Sequence, residues 1–113
     1  MTGPSAPDEV TSVFTALADP RRREVLEVVA SSGAITATAA ADQLTITRQA
    51  VAKHLAVLTE AGLVSSSKRG REVQYEVSPA ALEQTARWLQ HQASAWDRQL
   101  EALKRRAERS VQH

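Results

Sequence analysis

Hydrophobic residues recur along the first half of the chain at spacings that predict short helices. The first helix is predicted from about Asp8 to Ala18, and its apolar face consists of Val10, Val13, Phe14 and Leu17. The pair Asp19-Pro20 predicts the start of a second helix, because aspartate is a good N-cap and proline is tolerated at the first helical position. This second helix is predicted to end at Ser31–Gly33, and its inward face consists of Val25, Leu26, Val28 and Val29.

Two further helices are predicted between Thr36 and Gly62, joined by a short turn. Thr36 can cap an alanine-rich helix over 37–44, and Thr47 can cap the next helix, since a threonine hydroxyl accepts a free amide of the first turn. Gly62 lies where a left-handed residue ends a helix. The buried stripe of this fourth helix consists of Val51, Leu55 and Leu58. Two helices joined in this way form a helix-turn-helix unit.

A β-hairpin is predicted after the fourth helix. Val73, Tyr75 and Val77 alternate with polar residues, which is the period of a half-buried strand, and segment 63–67 is the weaker partner strand. The predicted tip is Lys68-Arg69-Gly70-Arg71, where the glycine permits a tight turn. Like charges at a hairpin tip repel one another unless an anion faces them, which favours phosphate contact over a solvated tip.

The last helix is predicted to begin at Ser78-Pro79 and to run to about Arg109. Its apolar residues alternate at spacings of four and three, which is the a/d pattern of a coiled coil. We call this row the seam, and it consists of Leu82, Ala86, Leu89, Ala93, Trp96, Leu100, Leu103 and Ala107. A helix of roughly 30 residues is about 45 Å long, more than this domain needs for its own core. The seam therefore favours a homodimer, and the alternative is that the helix lies across its own domain.

These elements predict a mostly α protein with a small β-hairpin wing, in the order helix, helix, helix, helix, strand, strand, helix. One domain is expected over residues 8–109, with the long helix at about 79–109. Residues 1–7, rich in proline, glycine and serine, are expected to form a disordered tail, and residues 110–113 a frayed one.

Composition narrows the class of protein. The chain has 113 residues, no cysteine and a formal net charge of +1, so charge alone gives no evidence for a polyanionic partner. It has no apolar run of about 18 residues, and Met1–Pro7 has neither basic residues nor an apolar stretch. We therefore expect no membrane partner and a cytoplasmic location. The sequence has no cysteine, no glycine-rich phosphate loop and no recognisable Ser/His/Asp grouping. Nothing in it therefore indicates an enzyme.

The placement of the central cations indicates DNA as the partner. A short helix that presents Arg, Gln and Lys near its N-terminus fits a major groove. The predicted base-contacting residues are Thr47, Arg48, Gln49, Ala50 and Lys53. The predicted contacts to the DNA backbone are Arg22, His54, Lys68, Arg69 and Arg71, although His54 has a structural role as its alternative. The competing hypothesis is a protein–protein module that does not bind DNA.

Several motifs resemble the ArsR/SmtB family of winged helix-turn-helix repressors. Segment Leu17–Leu26 resembles the family's Leu-Ala-Asp-Pro entry into the second helix. Segment Arg48–Leu55, followed by Glu60-Ala-Gly-Leu-Val64, resembles its recognition-helix signature, and Gly70–Tyr75 resembles its wing. The resemblance covers Val13 to Arg109. It implies a homodimeric repressor that binds double-stranded DNA at a partly palindromic operator and is released by a signal.

The resemblance also implies a dimer interface built from the first and last helices. First-helix residues Val10, Phe14 and Leu17 would join the seam residues Leu82, Ala86, Leu89, Ala93, Trp96, Leu100 and Leu103. Metal-sensing relatives carry a Cys-X-Cys pair or clustered Asp and His ligands, which this sequence lacks, since His91 is the one histidine of the last helix and is at a solvent-facing position. We therefore expect no metal and no cofactor. The possibility that an organic effector binds beside Trp88 and Trp96 stays open.

Overall fold

The computed structural model describes residues 7–111, and its elements follow the predicted order with one addition. The predicted N-terminal tail lies outside the described residues except for Pro7. Residues 110 and 111 belong to the last helix, while 112 and 113 lie outside the described range. The elements are α1 (Asp8–Leu17), α2 (Pro20–Ser32), β1 (Ile35–Thr36), α3 (Ala37–Leu44), α4 (Arg48–Glu60), β2 (Val64–Arg69), β3 (Glu72–Val77) and α5 (Pro79–Val111).

The predicted helix caps are present. The Asp19 carboxylate accepts hydrogen bonds from the backbone amides of Arg21 and Arg22, at 2.9 and 3.4 Å. The Thr36 hydroxyl accepts one from the Ala39 amide at 3.2 Å, and the Thr47 hydroxyl one from the Ala50 amide at 3.1 Å. Each bond satisfies a donor that a helix N-terminus leaves free.

The end of α4 is fixed by a Schellman motif. Gly62 has a φ of 82°. Its amide donates to the Thr59 carbonyl at 3.0 Å, and the next amide, of Leu63, donates to the Leu58 carbonyl at 2.9 Å. A left-handed φ is cheap for glycine, so the chain turns sharply here into β2.

The sheet has three antiparallel strands in the order β1-β3-β2, one more than predicted. Strand β1 pairs Ile35 with Tyr75, and its two residues are too few to show an alternation in the sequence. In the hairpin, Arg69 pairs with Glu72, which leaves Gly70 and Arg71 as a two-residue turn. The predicted four-residue tip is therefore wrong: Lys68 and Arg69 end strand β2, and of the three cations only Arg71 lies in the turn.

The core lies between α1, α2, α3, α4 and the sheet. Val51, Leu55 and Leu58 of α4 are fully buried, as predicted. Burying a side chain of this size stabilises the fold by about 1.5–3 kcal/mol, so this stripe fixes which face of α4 points outward. The rest of the buried cluster is formed by Val13, Ala16, Val25, Val29, Ile35, Ala40, Ala41, Leu63 and Val64.

Helix α1 buries part of its predicted apolar face, with Ala16 in addition and with Phe14 left partly exposed. Val10, Val13 and Ala16 are fully buried within the chain, whereas Phe14 is 40% exposed. The prediction that Val10 contacts a second chain is therefore wrong, because its side chain is already covered by its own domain. Phe14 and the half-buried Leu17 keep an accessible surface.

Helix α5 divides into two halves with different surroundings. The proximal half packs on α1, where Thr85 is buried and Trp88 and Ala95 are half-buried. From Trp96 to Arg109 every residue is exposed, and the molecule measures 75 × 24 × 23 Å because the distal half projects from the domain. Among the described residues, no helix combines the length and the apolar character needed to cross a bilayer.

Candidate nucleic-acid interface

The outward face of α4 carries the residues predicted to contact bases. Thr47, Arg48, Gln49 and Lys53 are exposed, and Ala50 is half-buried. Their positions follow from the buried stripe on the opposite face of the helix. Because the Thr47 hydroxyl already accepts the Ala50 amide, it can offer a partner only its proton or its remaining lone pair.

The turn between α3 and α4 holds the two helices at a fixed angle. Ala40 and Ala41 of α3 are buried, and small side chains of this kind let the two helix backbones come close together. Thr45 ends α3 in the left-handed region with a φ of 57°, and the Ile46 amide donates to the Ala41 carbonyl at 3.3 Å. The start of α4 is thus held in a fixed orientation relative to α3.

The wing carries its cations on exposed side chains. Lys68, Arg69 and Arg71 are all exposed, and none of them forms an ion pair with a described residue. Arg69 is paired with Glu72 in the strand register without a salt bridge within 4.0 Å. The guanidinium and ammonium groups are therefore available for a phosphate backbone.

An open groove of about 530 Å³ joins the wing to the start of α4. It brings together Arg48 from α4 and Arg71 from the hairpin turn, with Asp42 and Glu72 also in its lining. Thr38, an exposed residue in the first turn of α3, lies on the same groove and was not predicted. The sequence signal near it was the Thr36 cap, which marks the start of α3, and the first turn of a helix keeps backbone amides that can bind an anion.

Arg22 has a structural position that argues against the predicted phosphate contact. Its Nη1 donates to the carbonyls of Thr15 and Ala16 at 3.3 and 3.1 Å, and its Nη2 lies 3.7 Å from the Asp19 carboxylate. Only 16% of the side chain is exposed. Helix α1 ends just before the chain restarts at Asp19, and this guanidinium donates to carbonyls of its last turn. We therefore leave Arg22 out of the candidate interface.

The pKa of Asp19 is lowered from its ordinary value of 3.8. Desolvation acts in the opposite direction, but the backbone amides of Arg21 and Arg22 and the charges of Arg22 and His54 outweigh it. The side chain of His54 is half-buried, and its predicted contact with the DNA backbone stays a prediction beside its structural alternative.

Potential ligands for a metal are dispersed in the described part of the chain. Between residues 7 and 111, no group of three or more His, Cys, Asp or Glu side chains could hold a metal ion. His91 is exposed, and His113 lies outside the described residues. Of the tryptophans, Trp88 is half-buried and Trp96 is 70% exposed, and the organic effector predicted beside them stays a prediction.

Comparisons with known proteins agree with this architecture. The family model described as a helix-turn-helix domain matches residues 17–66. The transcriptional repressor SdpR of Bacillus subtilis is 28% identical over 80 residues, which are 71% of this chain and 88% of SdpR.

Solved structures extend the match to most of the chain. An ArsR-like transcriptional regulator from Rhodococcus sp. RHA1 is 43% identical with a TM-score of 0.80, over 86% of this chain and 91% of that one. The homodimeric winged helix-turn-helix domain of Mb0332 from Mycobacterium bovis is 26% identical with a TM-score of 0.61, over 86% and 91%. The chain belongs to the ArsR family of winged helix-turn-helix transcriptional regulators.

Proposed function

We propose that this DNA-binding regulator is a homodimeric repressor that binds a partly palindromic operator through α4 and the wing. The observation that carries the proposal is the exposed polar face of α4, held opposite a fully buried stripe and joined by one groove to a cationic hairpin turn. SdpR, a relative, is a transcriptional repressor by name. We propose a cytoplasmic location for the chain, because the regulator must reach its DNA, which in bacteria lies in the cytoplasm.

Base recognition is assigned to the first turns of α4. Gln49 suits adenine and Arg48 suits guanine through paired hydrogen bonds, while Lys53 offers a single mobile charge suited to a phosphate. Thr47 and Ala50 complete the surface that enters the groove. Lys68, Arg69 and Arg71 are assigned to the phosphate backbone.

The homodimer is assigned to α5 and the accessible part of α1. The seam is exposed from Ala86 onward, and Leu89, at 47%, and Phe14, at 40%, add apolar area beside it. Mb0332, a relative of the same fold, is described as homodimeric. A two-fold dimer would place two α4 helices on one side of the duplex, and this matches an operator made of two related half-sites.

Regulation by a bound metal is not proposed, because the sequence has no cysteine and His91 stands alone on α5. A ligand releases DNA only if it binds one conformation better than another, and a single exposed imidazole gives a metal little such preference. We assign no enzymatic activity. An organic effector or a partner protein is the remaining kind of signal.

Fluorescence anisotropy tests the proposal directly. The full chain is titrated onto a fragment of its own promoter and onto random DNA of equal length, at about 50 and 200 mM salt. We expect operator binding at least roughly 10³-fold tighter than random binding, with both weakened by salt. Equal affinity for the two sequences would leave only non-specific binding. No binding at low salt would favour the protein–protein module instead.

A further inference from the structure

The groove between the wing and the start of α4 carries two carboxylates as well as two guanidinium groups. Asp42 comes from α3 and Glu72 from the start of β3, and both side chains are exposed. Arg48 and Arg71 line the same groove, so its positive and negative charges balance. A surface that held DNA by the backbone alone would carry only cations here, because affinity grows with each phosphate that a cation neutralises.

Neither carboxylate is neutralised by a neighbouring cation. Among residues 7–111, neither Asp42 nor Glu72 has a cationic nitrogen within 4.0 Å. Glu72 is paired with Arg69 in the strand register without forming a salt bridge to it. A phosphate that approached either residue would therefore meet a full negative charge.

We propose that Asp42 and Glu72 are specificity-determining residues, which keep the phosphate backbone out of this groove and so favour operator over random DNA. The inference rests on the proposed DNA binding through α4 and the wing, and it adds the residues that oppose non-specific binding. A complex held by phosphates alone would press the backbone against the groove. In the operator complex the start of α4 meets base edges, which carry no net charge, so the carboxylates oppose it less.

The groove is narrow enough for this repulsion to act across it. A groove of about 530 Å³ is about 8 Å across, which is close to the distance over which physiological salt screens a charge. A phosphate inside it would therefore be repelled by both carboxylates. Ala52, Val73 and the half-buried Tyr75 give the groove apolar walls, and walls of low dielectric strengthen the field of the charges between them.

The same charges bear on Arg48. Arg48 and Ala52 are four residues apart and both line the groove, so they share one side of α4. Asp42 reaches this groove from α3 without forming a salt bridge to Arg48, which leaves the guanidinium donors free. The paired acceptors of guanine are a partner that Arg48 can use without bringing a phosphate beside Asp42.

Replacement of the two carboxylates by amides of the same shape tests the proposal. The full chain carrying Asp42→Asn, Glu72→Gln or both is titrated by fluorescence anisotropy onto the promoter fragment and onto random DNA of equal length. We expect each single variant to bind random DNA roughly threefold to tenfold more tightly and the operator less than about twofold more tightly, because the repulsion acts mainly on the backbone-held complex. The ratio of operator to random affinity should fall at least roughly fivefold in the double variant.

The salt dependence distinguishes lost repulsion from a disturbed fold. Once the carboxylates are gone, phosphates can enter the groove and contact Arg48 and Arg71. On random DNA the slope of log K against log salt should then steepen by up to about 0.9 for each added contact, and on the operator it should stay unchanged. A variant with a damaged fold would instead lose affinity for both DNAs, and that result would count against the proposal if Asp42→Ala and Glu72→Ala behaved alike.

Glu76→Gln is the matched control for Glu72→Gln. Glu76 belongs to the same strand and is exposed, but it does not line the groove. Four residues of strand place it about 13 Å farther along β3. We expect its affinity for random DNA to change less than about twofold. A gain as large as that of Glu72→Gln would show that only net charge matters and would contradict the role given to the groove.

Two further results would overturn the proposal. Unchanged affinity of the double variant for random DNA would show that phosphates do not meet these carboxylates. A loss of operator affinity confined to one base pair would make Asp42 or Glu72 a reader of cytosine, whose N4 amino group donates to a carboxylate. A wild-type chain that binds neither DNA, or both equally, would instead contradict the proposed function itself.

Discussion

The ring of Phe14 meets the ring of Trp88 edge to face, with centroids 6.0 Å apart and planes inclined by 70°. This contact joins α1 to the proximal half of α5 and so sets the direction in which the distal half leaves the domain. Edge-to-face pairs contribute about 0.5–1.5 kcal/mol beyond the area they bury. Trp88 therefore packs α5 onto its own domain.

Removal of the Trp88 ring should therefore loosen α5 from the domain. We expect Trp88→Ala to lower the free energy of unfolding by about 2–3 kcal/mol, and Trp88→Phe by less than about 1.5 kcal/mol, because the second change keeps an aromatic edge contact. Urea denaturation at one protein concentration measures both. An alanine variant within about 0.5 kcal/mol of the parent would show that this contact does not hold the helix.

Gln49 and Lys53 should differ in how they contribute to DNA binding. Gln49→Ala should lose about 1–3 kcal/mol at one base pair, because a paired hydrogen bond to a base edge is lost, whereas Lys53→Ala should weaken all sequences alike. Anisotropy on the operator and on operators changed at single positions separates the two effects. Equal loss on operator and random DNA for Gln49→Ala would remove it from the base readers.

The wing should contribute to the salt dependence of binding. Each phosphate that a cation neutralises adds about 0.9 to the slope of log K against log salt. Arg69→Ala with Arg71→Ala should therefore flatten the slope by roughly two per protomer. An unchanged slope would mean that the wing is not on the DNA.

Arg22→Ala is a control for the wing variants, since it removes one arginine charge that lies outside the wing. Its guanidinium is held by the carbonyls at the end of α1. We expect a loss of about 1–3 kcal/mol in the free energy of unfolding and little change in the salt slope. If the slope of log K against log salt flattened as much as in a wing variant, Arg22 would belong to the DNA interface.

Local sequence patterns predict much of this architecture. The caps at Thr36 and Thr47, the buried stripe of α4 and the start of α5 each depend on a few neighbouring residues, and all were predicted. Strand β1 was missed because two residues cannot show a period, and because its pairing with Tyr75 lies far away in the sequence.

The errors share a physical origin in packing that joins distant elements. Val10 and Phe14 lie one turn apart on the same side of α1, and only the positions of the core and α5 decide which of them is buried. Arg22 carries no local signal that separates a phosphate contact from a bond to the end of α1. The length of the hairpin turn depends on the strand register, which places Lys68 and Arg69 in β2.

Asp19 should make stability depend on pH at the acidic end. Its pKa in the folded chain is lowered below 3.8, so the unfolded chain binds the proton more readily. Its stabilising contribution is present above that value and is lost as the pH falls through the folded pKa.

The Asp19→Asn variant isolates this effect, because asparagine is a comparable N-cap without the charge. We expect wild type to exceed the variant in stability at about pH 7 and the difference to shrink toward about pH 2, as followed by urea denaturation. A difference that stayed constant or grew on acidification would contradict the assignment.

Hydroxyl-radical footprinting on the chain's own promoter tests the central claim most directly, since it reports sequence-specific binding and two-fold geometry together. We predict two related protected blocks on one face of the duplex, their centres about 10–10.5 bp apart or a multiple of it. Leu89→Glu with Leu100→Glu, which places charge in the seam, should abolish the paired pattern. A single block in wild type, or no protection at concentrations that retard the fragment, would contradict a homodimer reading its operator with two copies of α4.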